Sequence, residues 1–312
     1  MYSRLSIAYL YIMELLDEDR WKPVATIIMC INNSLSCLMA SYLLLGGRDA
    51  KFFILMSIII LLYALLFTPL IPESPKLLYS LKRYDDARDS LERIARINGI
   101  TYQRIAFEVE VKRHTEIVDN PEKVEEKPAN WFSIFKYRQF LINVAVLIFA
   151  FVFNEFSMYM LSFMLKYLPG DKYVNMFLLG WADFWASITS GIVLTYFSTK
   201  SAMIISFSSI FIWVFVHMTF GHYDFIGIPM IFIIRYGITI EWWLNYYVIY
   251  DLFPANLASI VYGLCNITAG LATILSPVAV ELLRNSLIIV LILGGICVVL
   301  WTAMVPGTKN LI

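Results

Sequence analysis

The chain has 312 residues, 60% of them hydrophobic and 16% aromatic, with only 15% charged and a formal net charge of +0. A mean hydropathy of +0.70 lies far outside the soluble range and places the chain in the membrane class. Balanced charge without a lysine or arginine tract excludes nucleic acid as an expected partner.

The N-terminal stretch MYSRLSIAYLYIMELL is apolar but too short to span alone. It lacks a small-residue cleavage site, so neither a secretory signal nor a mitochondrial presequence is expected. Apolar runs then follow at residues 23–46, 51–71, 139–160, 174–196, 201–220, 226–249, 257–280 and 286–305. Each reaches the about 20 residues that a helix needs to cross the hydrocarbon core. None alternates apolar and polar positions as barrel strands do. The expected fold is therefore all-α, a polytopic helical membrane protein embedded in the lipid bilayer.

Two runs precede residue 72 and six follow residue 138, which leaves a polar connector over 72–137. Its first part reads PESPKLLYSLKRYDDARDSLERIARING. Leu81, Tyr84, Leu91, Ile94 and Ala95 recur at helical spacing and predict an amphipathic helix. Asp85 and Asp86 suit its first turn, Arg93 and Arg96 its last, and Asn98-Gly99 supplies a left-handed stop. Asp89 with Arg93 and Glu92 with Arg96 are acid-before-base pairs four apart. Residues 108–128 are polar, end in prolines and read as a flexible lead-in to the next helices.

Cys30, Cys37, Cys265 and Cys297 all fall in apolar runs and read as small core residues. His114, His217 and His222 lack metal-ligand spacing. No metal and no cofactor is expected, and no nucleophile–base pair or phosphate loop suggests an enzyme.

Several motifs carry a family resemblance. Pro72-Glu73-Ser74-Pro75 followed by a charged amphipathic helix resembles the segment after the sixth span of major facilitator transporters, in particular the sugar porters and the organic cation/anion branch. Tyr11-Ile12-Met13-Glu14, then Arg20 and Lys22-Pro23, is similar to the acidic end of that family's fourth span and its basic loop. Tyr173-Val174-Asn175-Met176-Phe177-Leu178-Leu179-Gly180 with Asp183 resembles the eighth span of the organic-ion branch, where the acidic residue is usually Glu. Arg235-Tyr236-Gly237 and Asp251-Leu252-Phe253-Pro254 resemble the tenth-span R-F-G and E-L-F-P elements, and Pro306-Gly307-Thr308-Lys309 the closing P-E-T-K.

The resemblance implies a start inside the fourth span and an incomplete bundle without about the first three. Residues 1–71 would be the remnant of the N-terminal bundle, 72–137 the cytoplasmic-type connector and 138–312 a C-terminal six-helix bundle. Other positions depart from the family pattern. The loop expected as D-R-x-G-R-R keeps only Lys200, Ala258 stands where an arginine is expected, and Gly270 where the eleventh span carries its charge.

Ionisable groups inside spans are costly and need a partner, a watery cavity or a function. Arg235 is expected near a membrane face, meeting Asp251 or Glu14 as a structural or gating pair, with Arg20 in the same charge set. Glu241 lies nearer mid-span beside Trp242, Trp243, Asn245, Tyr246 and Tyr247. That set would suit an organic cation by cation–π attraction. It would equally suit proton coupling, or a carboxyl that stays protonated or pairs with a neighbour while the rings pack. Asp183 is expected to face a cavity, and Glu155 to find a local structural partner.

Two functions follow. The resemblance implies alternating-access transport of a small organic solute, with the missing helices supplied by another chain or segment. The alternative is a non-transporting structural subunit of a large membrane complex, such as a respiratory assembly, whose protein partners cover the exposed helix faces. The sequence places the chain in a membrane and leaves plasma membrane and mitochondrial inner membrane equally open.

Overall fold

The computed structural model describes residues 21–47, 49–67, 71–80, 83–99, 138–168, 170–221, 224–253, 255–282 and 287–303. Glu14, Arg20 and the lead-in at 108–128 lie outside them. The described elements are helical: α1 (Trp21–Leu44), α2 (Ala50–Phe67), α3 (Pro75–Ser80), α4 (Tyr84–Ile97), α5 (Arg138–Met164), α6 (Lys172–Tyr196), α7 (Thr199–Phe220), α8 (Asp224–Leu252), α9 (Ala255–Thr273), α10 (Ser276–Leu282) and α11 (Leu287–Ala303). Five described helices are long and apolar enough to cross a membrane, and Lys51–Phe67 and Leu287–Thr302 are shorter apolar helices. The chain is an integral membrane protein.

The chain divides into two compact units, residues 1–25 with 48–127 and residues 26–47 with 128–312. In the first, α2 exposes Ile54, Leu55, Leu61, Leu62, Leu65 and Leu66, as suits a helix whose solvent is lipid. Helix α4 forms where the apolar spacing predicts and ends at Gly99, whose φ of 66° suits a residue without Cβ. Its buried residues are Ala87 and Ser90, and the Ser90 hydroxyl donates to the Glu73 carbonyl across the PESP turn. Arg96 meets Glu92 at 3.9 Å as expected, and Asp89 meets its neighbour Arg88 at 3.6 Å.

In the second unit α5 runs through the middle and α8 lies along it in the opposite direction. Phe140 meets Phe253 at a ring distance of 4.9 Å, and Phe151 meets Tyr246 at 6.0 Å. Helices α6 and α7 flank α8, α11 packs on α5 and α7, and α9 and α10 pack on α5. Phe153, Phe207 and Trp301 join α5, α7 and α11 in one buried aromatic column. The run expected over 257–280 is broken between Thr273 and Ser276. Pro277 has no N–H to give back to Thr273 and its ring crowds that carbonyl. The Ser276 hydroxyl fills the gap by donating to the Thr273 carbonyl at 2.7 Å.

Short polar caps set the helix ends. The Asp171 carboxylate accepts from the Tyr173 amide at 2.7 Å after the left-handed Gly170, and so starts α6. Ser198 caps α7, and Lys200 donates to the Thr302 carbonyl at 3.1 Å, which ties the start of α7 to the end of α11.

Candidate functional site

Helices α1 and α6 come together over a row of small side chains. Gly180 carries no Cβ where the Cys37 backbone, the Ser36 carbonyl and the Ala40 methyl close in, and the Cys37 thiol donates to the Gly180 carbonyl at 2.8 Å. One turn on, the Asn33 amide donates to the Asp183 carbonyl at 3.1 Å and to the Ser187 hydroxyl at 2.6 Å. Small residues let two backbones approach, and polar side chains then bridge them without water.

Asp183 itself turns to α8. Arg235 meets it in a two-pronged pair, Nε to Oδ1 at 2.8 Å and Nη2 to Oδ2 at 2.9 Å. The remaining nitrogen, Nη1, donates to the Met158 carbonyl at 2.8 Å and the Ser162 hydroxyl at 3.1 Å on α5. Thr239, one turn beyond Arg235, donates to Asp183 Oδ1 at 2.6 Å. The side chains of the pair are 10% and 13% exposed, so it is largely withdrawn from solvent. A planar guanidinium that fills all three nitrogens in this way holds three helices in register.

This geometry corrects the expected partner of Arg235. Asp251 stands sixteen residues further along the same helix, about 24 Å away at 1.5 Å per residue, beyond the reach of any side chain. Arg235 is buried inside the bundle, 9% exposed. Glu14 lies outside the described residues, as does Arg20, and the side chain of Asp251 is not described. Asp183 shares its carboxylate between Arg235 and Thr239.

Five of the six mid-span residues of α8 named above divide by helical geometry. Trp242 and Tyr246 are four apart and lie on one face, with ring centroids 6.4 Å apart and planes 18° from parallel. Tyr262 of α9 adds a ring 5.3 Å from Tyr246, and Phe151 of α5 one at 6.0 Å. Trp243 turns towards α6 and donates to the Ser187 hydroxyl at 3.0 Å. Glu241 and Asn245, also four apart, lie on a different face and are 0% and 1% exposed. Glu155 of α5 lies within electrostatic reach of Tyr246, and Glu241 within that of Cys297 of α11.

Sequence reasoning did not single out Asn33, Ser162, Ser187 or Thr239. A signal existed for Thr239, which shares a helix face with Arg235, and for Asn33, a polar residue in an apolar run. Gly270, at the family's charged position, is exposed, and a Cβ there would meet open space. A groove of about 400 Å³ between α7 and α11, lined by Phe211, Ile292, Gly295 and Val299 among others, is wholly apolar and suits lipid.

The comparisons with known proteins agree with this architecture. The chain is 20% identical over 237 residues to solute carrier family 22 member 4 of Mus musculus, covering 74% of this chain and 41% of that one. It is 24% identical over 216 residues to organic cation/carnitine transporter 2 of Mus musculus, covering 68% of this chain and 37% of that one. It thus spans about two fifths of the length of these relatives. The solved proton:xylose symporter XylE, bound to 6-bromo-6-deoxy-D-glucose, superposes with a TM-score of 0.66 at 15% identity, over 97% of this chain and 68% of that one, and so shares the fold. The family description "Major Facilitator Superfamily" matches residues 23–277. A helical bundle whose motifs, superposition and family match all run along the same residues is a member of that family, and this chain belongs to the Major Facilitator Superfamily.

Proposed function

We propose that the chain carries a small organic solute across a membrane by alternating access, with an organic cation or a zwitterion such as carnitine as the class of cargo. The observation that carries this reading is the aromatic face of Trp242, Tyr246, Tyr262 and Phe151 on the same bundle as the Asp183–Arg235 pair. Stacked rings offer their negative faces to a quaternary ammonium group. Arg235 and Asp183 supply one charge of each sign, and a zwitterion can exchange partners with such a pair without leaving a bare charge in the bundle. The names of the organic cation/carnitine transporters support the same cargo class. Asn33 ties α1 to the carbonyl of Asp183, so a change at the pair is felt at the contact of α1 with α6.

The test is reconstitution of the full chain into liposomes with labelled carnitine, tetraethylammonium and xylose. Saturable uptake of the first two, lost on Trp242→Ala and Asp183→Asn, is the expected result. Absence of both binding and uptake by folded protein, together with stoichiometric migration in a much larger membrane assembly, would overturn transport in favour of a structural subunit with protein partners.

A further inference from the structure

We propose that the groove between α7 and α11 binds an anionic phospholipid of the surrounding bilayer, with one acyl chain along α11 and the phosphate at Lys200. The groove holds about 400 Å³ and is lined by Phe211 of α7 and by Leu291, Ile292, Gly295, Ile296 and Val299 of α11, among others. Phe211, Ile292, Ile296 and Val299 are exposed, so it opens outward from the bundle, towards lipid. Gly295 shapes its floor: a Cβ there would lie 3.2 Å from the Phe211 ring, and without one that ring lies down on the α11 backbone. An apolar trough of this kind suits a hydrocarbon chain and gives a polar solute nothing to bond to.

Its length matches one leaflet. Helices α7 and α11 run in opposite directions, since Lys200 donates to the Thr302 carbonyl while Phe211 covers Gly295. Phe211 lies eleven residues beyond Lys200 and Leu291 eleven before Thr302, about 16 Å along either helix. Half of the about 30 Å hydrocarbon core is about 15 Å. The groove therefore starts within a turn of the Lys200–Thr302 contact, at Val299, and reaches the bilayer midplane, which is the depth of a single acyl chain.

The residues at its outer end mark headgroup level. Tyr196 and Phe197, both exposed, close α6 there, as aromatic rings do where hydrocarbon gives way to headgroups. Lys200 follows within a turn, and the stretch 190–205 carries no acidic residue. The Thr302 carbonyl holds the ammonium in place at 3.1 Å and, being neutral, leaves its charge intact. The lysine stem is apolar, so it joins the groove to the headgroup region. An anionic phosphodiester complements this end, whereas a zwitterionic headgroup brings a cation of its own to the same place.

The test needs no solute, so its failure is distinct from failure of the transport reading. Full-length protein is reconstituted in vesicles of equal parts phosphatidylglycerol and phosphatidylcholine and extracted in mild detergent, and the lipids it retains are counted by native mass spectrometry. Phosphatidylglycerol is expected to be retained about fivefold over phosphatidylcholine, the effect of one basic side chain near the surface. Lys200→Gln should bring the two lipids level, and Lys200→Arg should keep the preference. Val299→Trp fills the mouth of the groove from its exposed side and should cost the protein one tightly held phosphatidylglycerol. Both positions lie outside the buried core, so thermal unfolding should stay cooperative in each variant.

Equal retention of the two lipids by the wild type would mark ordinary boundary lipid and overturn the proposal. A preference that survives Lys200→Gln would overturn the headgroup contact, and a lipid count that Val299→Trp leaves unchanged would overturn the placement in the groove. A dimer that Val299→Trp dissociates would put a second copy of this chain there in place of lipid, and the proposal would fall with it.

Discussion

Arg235 of α8 and Asp183 of α6 form a two-pronged ion pair inside the helical bundle, with both contacts below 3 Å. The pair also gathers Ser162 and the Met158 carbonyl from α5, and through Asn33 it reaches α1. Removing one partner would strand the other in an apolar interior. Asp183→Asn or Arg235→Gln alone should therefore cost about 3–5 kcal/mol. The double substitution should cost less than the sum of the two. Thermal unfolding of the four proteins in detergent gives the coupling directly, and additive losses would mean that the pair contributes no stability of its own.

The close approach of α1 and α6 can be trapped covalently. A Cβ on Gly180 would stand 3.7 Å from the Ala40 methyl, within the about 3.5–4.5 Å seen in disulfides. The double variant Ala40→Cys with Gly180→Cys should form a bridge under mild oxidation, detected by non-reducing peptide mass spectrometry. Absence of the bridge would show that these helices do not meet at this turn in the membrane.

Gly237 follows Arg235-Tyr236 because there is no room for more. A Cβ there would lie 2.9 Å from Ile210 Cγ1 on α7. Gly237→Ala should lower stability by about 1–3 kcal/mol through overpacking. Adding Ile210→Ala should recover part of that loss, and a thermal shift series reads both effects.

On the aromatic face, Trp242→Ala is expected to weaken binding of a quaternary ammonium solute about 2- to 30-fold, the equivalent of about 0.5–2 kcal/mol. Trp242→Phe should retain most of the affinity, since a ring remains. Equilibrium binding to purified protein checks this, and equal affinities for Ala, Phe and wild type would remove Trp242 from the solute site.

The amino-acid sequence by itself determined the class, the helices and the family. Length and uninterrupted hydropathy decide that a segment crosses a bilayer, and these are local properties. The α4 helix was equally legible, because its polar and apolar faces differ and its stop is written as Asn98-Gly99. Inside the membrane that contrast disappears. Lipid tails are as apolar as a protein core, so the inward face of a spanning helix carries no distinct hydropathy signal.

Tertiary structure alone decided which charges meet. Arg235 found Asp183 fifty-two positions earlier, while Asp251 on its own helix stayed out of reach. Packing also split the run ITIEWWLNYY, setting the rings of Trp242 and Tyr246 on one face and the polar groups of Glu241 and Asn245 on another. A helix turns about 100° per residue, so neighbours in sequence point to different helices, and only the assembled bundle says what waits at each direction.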